Sequence, residues 1–138
     1  MGAQVVHLEK LYRQYRDRVE FAFIYISEAR HKMPGYEFLL EEPRSTTESG
    51  QARERREKVC RAIDVAQMTV PVYLDGADRT AARAYFAWPA RLVVVDTDGR
   101  IARDFGSLPF HPWNWGDVSN ALQTEIAQQP MPLHEAAE

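Results

Sequence analysis

Along the first turns of the chain, Val5, Leu8, Leu11, Tyr12, Tyr15 and Val19 recur at steps of three and four with polar residues between them. That period predicts an amphipathic helix over Ala3–Arg18. Phe21-Ala22-Phe23-Ile24-Tyr25-Ile26 then runs unbroken, and Ser27, Glu28, Arg30 and His31 follow at once. A short, continuously apolar run predicts a strand over Glu20–Ile26 buried on both faces, as in a parallel sheet covered by helices. Ser27 to Thr46 holds Pro34-Gly35 and Pro43 and reads as a loop with a helical turn near Tyr36–Leu40. Thr46 or Thr47 caps the next helix, which continues to Ala66 with Val59, Ile63 and Ala66 inward. Val70–Leu74 is a short strand, and Pro71 marks it as an edge. Asp75 or Asp78 caps a short helix over Asp78–Phe86. Arg91–Asp96 is a second strand apolar on both faces. Asp98-Gly99 predicts a hairpin returning antiparallel through Ile101–Phe105. Val118, Leu122 and Ile126 form the stripe of a last helix. One domain over residues 1–128 is expected, with Pro130 and Pro132 in a frayed tail over 129–138.

Charge narrows the functional classes. The 138 residues carry 17 Lys and Arg against 20 Asp and Glu, a net charge of −3. That leaves no basic footprint for nucleic acid. Arg53, Arg55, Arg56 and Arg61 alternate with Glu48, Glu54 and Glu57, the pattern of a solvated helix face. No apolar run approaches the roughly 20 residues that span a bilayer. The N-terminus lacks the basic and apolar regions of a signal peptide, and Val6 replaces the hydroxyl residue of a myristoylation start. A cytoplasmic protein with no membrane partner is expected. The single cysteine, Cys60, excludes an internal disulfide, a paired redox motif and a cysteine-rich zinc site. Its spacing from Val59 and Ile63 places it on or beside the core face, as a buried inert thiol.

The order α-β-loop-α-β-α-β-β-α, alternation followed by a hairpin and a helix, matches the back of a thioredoxin-like α/β fold that begins one strand late. The expected mixed sheet runs Val70–Leu74, Phe21–Ile26, Arg91–Asp96, Ile101–Phe105, with the terminal hairpin at one edge and helices on both faces. Tyr25-Ile26-Ser27-Glu28-Ala29-Arg30 resembles the "YI-x-EAH" segment of iodothyronine deiodinases and their bacterial deiodinase-like relatives. The resemblance extends through Pro43-Arg44-Ser45, Val70–Asp75 and Trp88-Pro89-Ala90-Arg91-Leu92, and covers about Leu8 to Ile126. It implies a thiol or selenol oxidoreductase whose Cys or Sec ends a first strand and is followed by proline. That segment is missing from this chain, which starts within the helix after it. The expectation is a first Met downstream of a misread selenocysteine codon, and no activity in the chain as given. No cofactor is implied beyond a thiol reductant.

The carry-over is residue by residue. Tyr25 and Glu28 match positions near the reactive centre. The family's histidine two residues after that glutamate is Arg30 here, with His31 displaced by one. Its second histidine is Pro43, and its glycine-flanked arginine is Ser107. Those departures fit relatives with another small-molecule or thiol substrate better than iodothyronines. The fold places a cis proline beside the reactive sulfur at Pro89, after Trp88. Glu28 stands as a general acid/base or an anchor for a substrate amine, or as a loop carboxylate paired with Arg30. His31 is a candidate catalyst or a surface loop histidine. His111 and Trp113 line a binding wall or pack over the last helix. The four histidines have no ligand spacing, so no metal is assigned. A non-catalytic module that self-associates through the sheet edges beside the missing strand is the competing reading. Strand edges left open there predict a homodimer.

Overall fold

A computed structural model describes residues 2–26 and 34–129. It is a mixed α/β structure: helix α1 (Gly2–Tyr15), strand β1 (Phe23–Tyr25), a 3₁₀ turn (Glu37–Leu40), α2 (Glu48–Ala66), β2 (Val72–Leu74), α3 (Thr80–Ala84), β3 (Ala90–Val95), β4 (Ile101–Leu108) and α4 (Trp115–Gln128). Local chemistry sets the ends. The Thr47 side chain accepts the Gly50 N–H at 3.1 Å and caps α2. Gln67 closes that helix in the left-handed region at φ 54°. The Asn114 side chain accepts the Asp117 N–H at 3.1 Å and starts α4. Asp75, rather than Asp78, does most of the capping at α3, because its carboxylate accepts the N–H groups of Gly76, Ala81 and Ala82.

β1 and β2 pair in parallel, with Phe23 opposite Val72 and Tyr25 opposite Leu74. β3 and β4 pair antiparallel from Ala90 opposite Leu108 to Val95 opposite Ile101. The Asp96 carboxylate accepts the N–H groups of Asp98 and Arg100 across the hairpin loop, and Gly99 takes φ +81°. Among the described residues the two pairs are separate two-stranded sheets. The expected order thus appears as two sheets: its outer pairings form as read, and Phe21–Ile26, beside which a missing strand was expected, does not pair with Arg91–Asp96.

The seven-residue strand expected from Glu20 narrows to three. Pro71 has no N–H to give, so the ladder begins where its carbonyl accepts the Phe23 N–H at 2.9 Å. Nor is that strand buried on both faces, since Ile24 is 42% exposed. The core falls in two parts. Leu11 and Tyr15 of α1 pack with Val94 of β3 and with Val118, Ala121 and Leu122 of α4. Phe38, Leu39 and Ala62 pack together, with Tyr25 and Tyr36 against them.

α1 ties the parts together. The buried Glu9 carboxylate accepts the Thr69 N–H at 2.7 Å, the Thr69 hydroxyl at 2.5 Å and the Val70 N–H at 2.9 Å, just before β2. One and a half turns on, the Tyr15 hydroxyl lies 3.0 Å from the Ser119 hydroxyl and accepts the Gln123 side-chain amide at 3.0 Å on α4.

Candidate functional site

Where the two sheets fail to meet, an apolar cavity of about 790 Å³ opens between β1 and β3. Leu8 and Leu11 of α1 line it, with Tyr36 and Leu39 around the 3₁₀ turn and Ala81 and Tyr85 around α3. Its sides are the strands themselves: Phe21 through Ile26, and Pro89 through Val95. Among the described residues, apart from tyrosine hydroxyls and the ring N–H groups of Trp113 and Trp115, only Gln4, Glu20 and Arg91 bring a polar side chain to the lining.

Both sides present a strand edge. Phe23 donates its N–H to Pro71, and Tyr25 accepts the Asp75 N–H at 2.9 Å, so these two residues spend their backbone groups on the β2 side. Alternation turns the N–H and C=O of Ile24 the other way, and Ile24 lines the cavity. On β3, Asp96 donates its N–H to Arg100 at 2.8 Å across the hairpin. Counting back by alternation leaves the backbone groups of Val95 and Val93 on the edge away from β4, and both residues line the cavity. Neither edge has a strand partner among the described residues.

The two ends of the opening are fixed by polar contacts. Arg55 donates to the Ile26 carbonyl at 2.7 Å and the Asp75 carbonyl at 2.8 Å, stapling the C-terminal ends of β1 and β2, with its guanidinium 5.6 Å from the centre of the Tyr25 ring. Arg91 pairs with Asp104 across β3 and β4 and donates to the Tyr85 carbonyl at 2.8 Å. The side-chain hydrogen bond between Arg91 and Asp104 raises the guanidinium pKa further and lowers that of the carboxyl. Near the end of β4, Gly106 takes φ +78°. A Cβ there would lie 2.9 Å from the His111 side chain. Trp113 donates its ring N–H to the Gly106 carbonyl at 2.9 Å.

Of the residues singled out by sequence, Tyr25, Pro89 and Trp113 come together on the cavity wall. The Trp88–Pro89 bond is cis, as is Leu108–Pro109. Trp88 is exposed, as are Phe86 and Phe110. Ser107 lies on β4 opposite Arg91, the loop after the strand brings the His111 N–H to the Ser107 carbonyl at 2.9 Å, and neither residue lines the cavity. Glu28, Arg30 and His31 lie outside the described residues.

Cys60 is corrected. It is exposed, because the buried side chains of this part of α2 are Val59 and Ala62, and one step of 100° past Val59 carries residue 60 away from that side. No thiol lines the cavity. No cluster of metal-ligating side chains occurs among the described residues, and no helix there is long and apolar enough to cross a membrane.

Sequence reading missed Glu9 and Arg55. Arg55 was assigned to the solvated face of its helix, yet it lies one turn before Val59 on the inward stripe, and Glu9 lies one turn after Val5. The helical phase was the signal for both. No protein-family model, no curated protein and no solved structure matches the chain.

Proposed function

We propose that this chain is the scaffold of a thioredoxin-like thiol or selenol oxidoreductase of the deiodinase-like kind. On this reading it contributes the pocket walls, and the nucleophile comes from a segment seated between β1 and β3. The observation that carries this is the convergence of Tyr25, Pro89 and Trp113 on one cavity where the sheet is open and holds no thiol. A thiolate or selenolate at the end of a strand in that opening would attack its substrate next to these three side chains, and an external thiol would regenerate it. The substrate class is a small molecule or a thiol compound. The isolated chain then has no turnover of its own.

The test uses the purified chain with dithiothreitol and hydrogen peroxide or a small disulfide. The chain alone gives the background rate. Adding a synthetic peptide, an apolar strand of about six residues followed by Cys-Pro, raises the rate above that of the peptide alone. If the bound peptide adds nothing, the oxidoreductase reading fails. Turnover by the chain alone that disappears in Cys60→Ser overturns it from the other side.

The open edges favour a second reading, a non-catalytic module that self-associates through them. Sedimentation at micromolar concentration tests it: a homodimer is the expected species, and a stable 15.9 kDa monomer rejects it.

A further inference from the structure

We infer that the turn joining α3 to β3 is a wedge that seats Phe86 and Trp88 in an anionic lipid surface, with Arg79 and Arg83 at the headgroups. The contact is peripheral, since no described helix is long and apolar enough to cross a membrane.

α3 closes in a backbone arrangement suited to glycine. The Ala87 N–H reaches back to the Ala82 carbonyl at 3.0 Å, and the Phe86 N–H to the Arg83 carbonyl at 3.4 Å. In such a close the residue past the cap takes the left-handed conformation and is usually glycine. Here it is Phe86, at φ 48°. A bulky L side chain is disfavoured in that region, because its Cβ crowds the carbonyl. Nor does the ring pack. Phe86 is 80% exposed and lies outside both core clusters and the cavity lining. A disfavoured conformation that serves no packing points to a role outside the fold.

Its neighbours give that role a chemistry. Trp88 is 61% exposed and Tyr85 41%. The Arg83 N–H bonds the Arg79 carbonyl at 2.9 Å, so the two arginines stand one turn apart on one face. Both are exposed, and neither has an ion pair among the described residues. Asp78 turns a carboxylate oxygen onto the Thr80 N–H at 3.3 Å. The chain carries a net charge of −3, yet from Arg79 to Val95 it has three arginines and no acidic residue. Of these only Arg91 is paired, with Asp104.

Area and composition favour lipid over a protein partner. At about 200 Å² per aromatic side chain, Tyr85, Phe86 and Trp88 expose roughly 350 Å². That is less than half of the roughly 800 Å² that each side of a standard protein interface buries. A bilayer surface requires neither that area nor a matching shape. It accepts aromatic rings at headgroup depth and arginines whose stems lie on the apolar side while their charges meet anionic lipid.

The experiment sediments the purified chain with vesicles of phosphatidylcholine, alone or mixed with phosphatidylserine, at low and high salt. The chain binds the mixed vesicles at low salt. Binding is at least about tenfold weaker without phosphatidylserine, and falls with salt. Tryptophan emission shifts to the blue on binding, and the shift is lost in Trp88→Phe. Phe86→Gly binds at least about fivefold more weakly, yet its urea midpoint rises, because glycine suits the left-handed position. Phe86→Asn, which also tolerates that conformation, weakens binding likewise and decides the matter if the glycine variant does not fold. Arg79→Gln combined with Arg83→Gln lowers binding to the mixed vesicles about tenfold or more and flattens its salt dependence.

Absence of binding overturns the inference, and so does equal binding to the two kinds of vesicle. Unchanged binding in both Phe86 variants overturns it by moving the contact elsewhere. A lowered urea midpoint in Phe86→Gly shows that the fold itself holds the ring, and overturns it too. A dimer of the free chain that Phe86→Gly dissociates gives the patch to a second copy instead of lipid. Peroxide reduction with the Cys-Pro peptide is read separately, so loss of either result leaves the other standing.

Discussion

Glu9 holds α1 to the segment that enters β2, and its removal is the sharpest test of how the two sheets are kept in place. In Glu9→Ala the Val70 N–H, on a residue only 3% exposed, loses its acceptor in a place water does not reach. An unsatisfied buried donor costs about 1–3 kcal/mol. Thr69 is exposed, so its N–H and hydroxyl regain water and lose about 0.5–1.5 kcal/mol each. The expected loss is about 3 kcal/mol, a large part of the roughly 5–15 kcal/mol that holds a domain together. Glu9→Gln keeps a side-chain oxygen for both N–H groups and gives up the charge and the acceptor of the exposed Thr69 hydroxyl, at a cost of about 1 kcal/mol.

The charge gives the effect a pH signature. Burial raises the Glu9 pKa. The hydrogen bonds from the Thr69 hydroxyl and from the Val70 and Thr69 N–H groups, with Arg13 nearby, outweigh burial and hold it below the ordinary 4.5. A carboxyl with a depressed folded pKa contributes stability that is complete above its unfolded value and lost as pH falls through the folded one. Urea unfolding followed by circular dichroism therefore shows the order wild type, Gln, Ala at neutral pH. The gap between wild type and Gln closes on acidification below 4.5. An Ala variant as stable as wild type, or a Gln gap that does not change with pH, refutes the reasoning.

Tyr15→Phe keeps the packing against Val94 and Leu122 but loses the contacts to Ser119 and Gln123. It is expected to lower unfolding stability by about 1 kcal/mol, read from the urea midpoint. Cys60→Ser, at an exposed position, changes stability by less than about 0.5 kcal/mol. The native thiol also reacts with Ellman's reagent as fast as in denaturant. Gly106→Ala meets both the φ of +78° and the His111 side chain at 2.9 Å, and loses about 1 kcal/mol or more. Its Trp113 fluorescence shifts, because that ring is hydrogen-bonded to the Gly106 carbonyl.

What could be read from the sequence was local. Thr47, the Asp98-Gly99 turn and the stripe of Val118 and Leu122 were assigned from short-range chemistry that the fold does not override. Pro71 marked its strand as an edge for the right reason. The apolar runs alone left the gap between the sheets open, because an apolar run states that a strand is built for burial and does not say whether its neighbour is present; the order of elements, one strand short, was what pointed to it. Phe21–Ile26 and Arg91–Val95 both read as interior strands, and both lie at the opening. Cys60, Arg55 and Glu9 were misplaced or passed over for a different reason. Residue type was allowed to outweigh helical phase, when phase puts the thiol outside and two charged groups inside.

The opening between β1 and β3 is also held from outside the sheets. Closing β1 directly onto β3 would pair their free edges, so the fold needs a reason not to collapse. α1 supplies one. Glu9 binds the segment leading into β2, which pairs with β1, and Tyr15 binds α4, which packs on Val94 of β3. Six residues separate the two anchors on a helix, a rigid span of about 9 Å. A collapse that moves one sheet toward the other must break one anchor or bend the helix. Breaking the Glu9 anchor leaves a donor buried without a partner. The polar pins of α1 thus act against closure while the apolar side chains of the same helix line the opening.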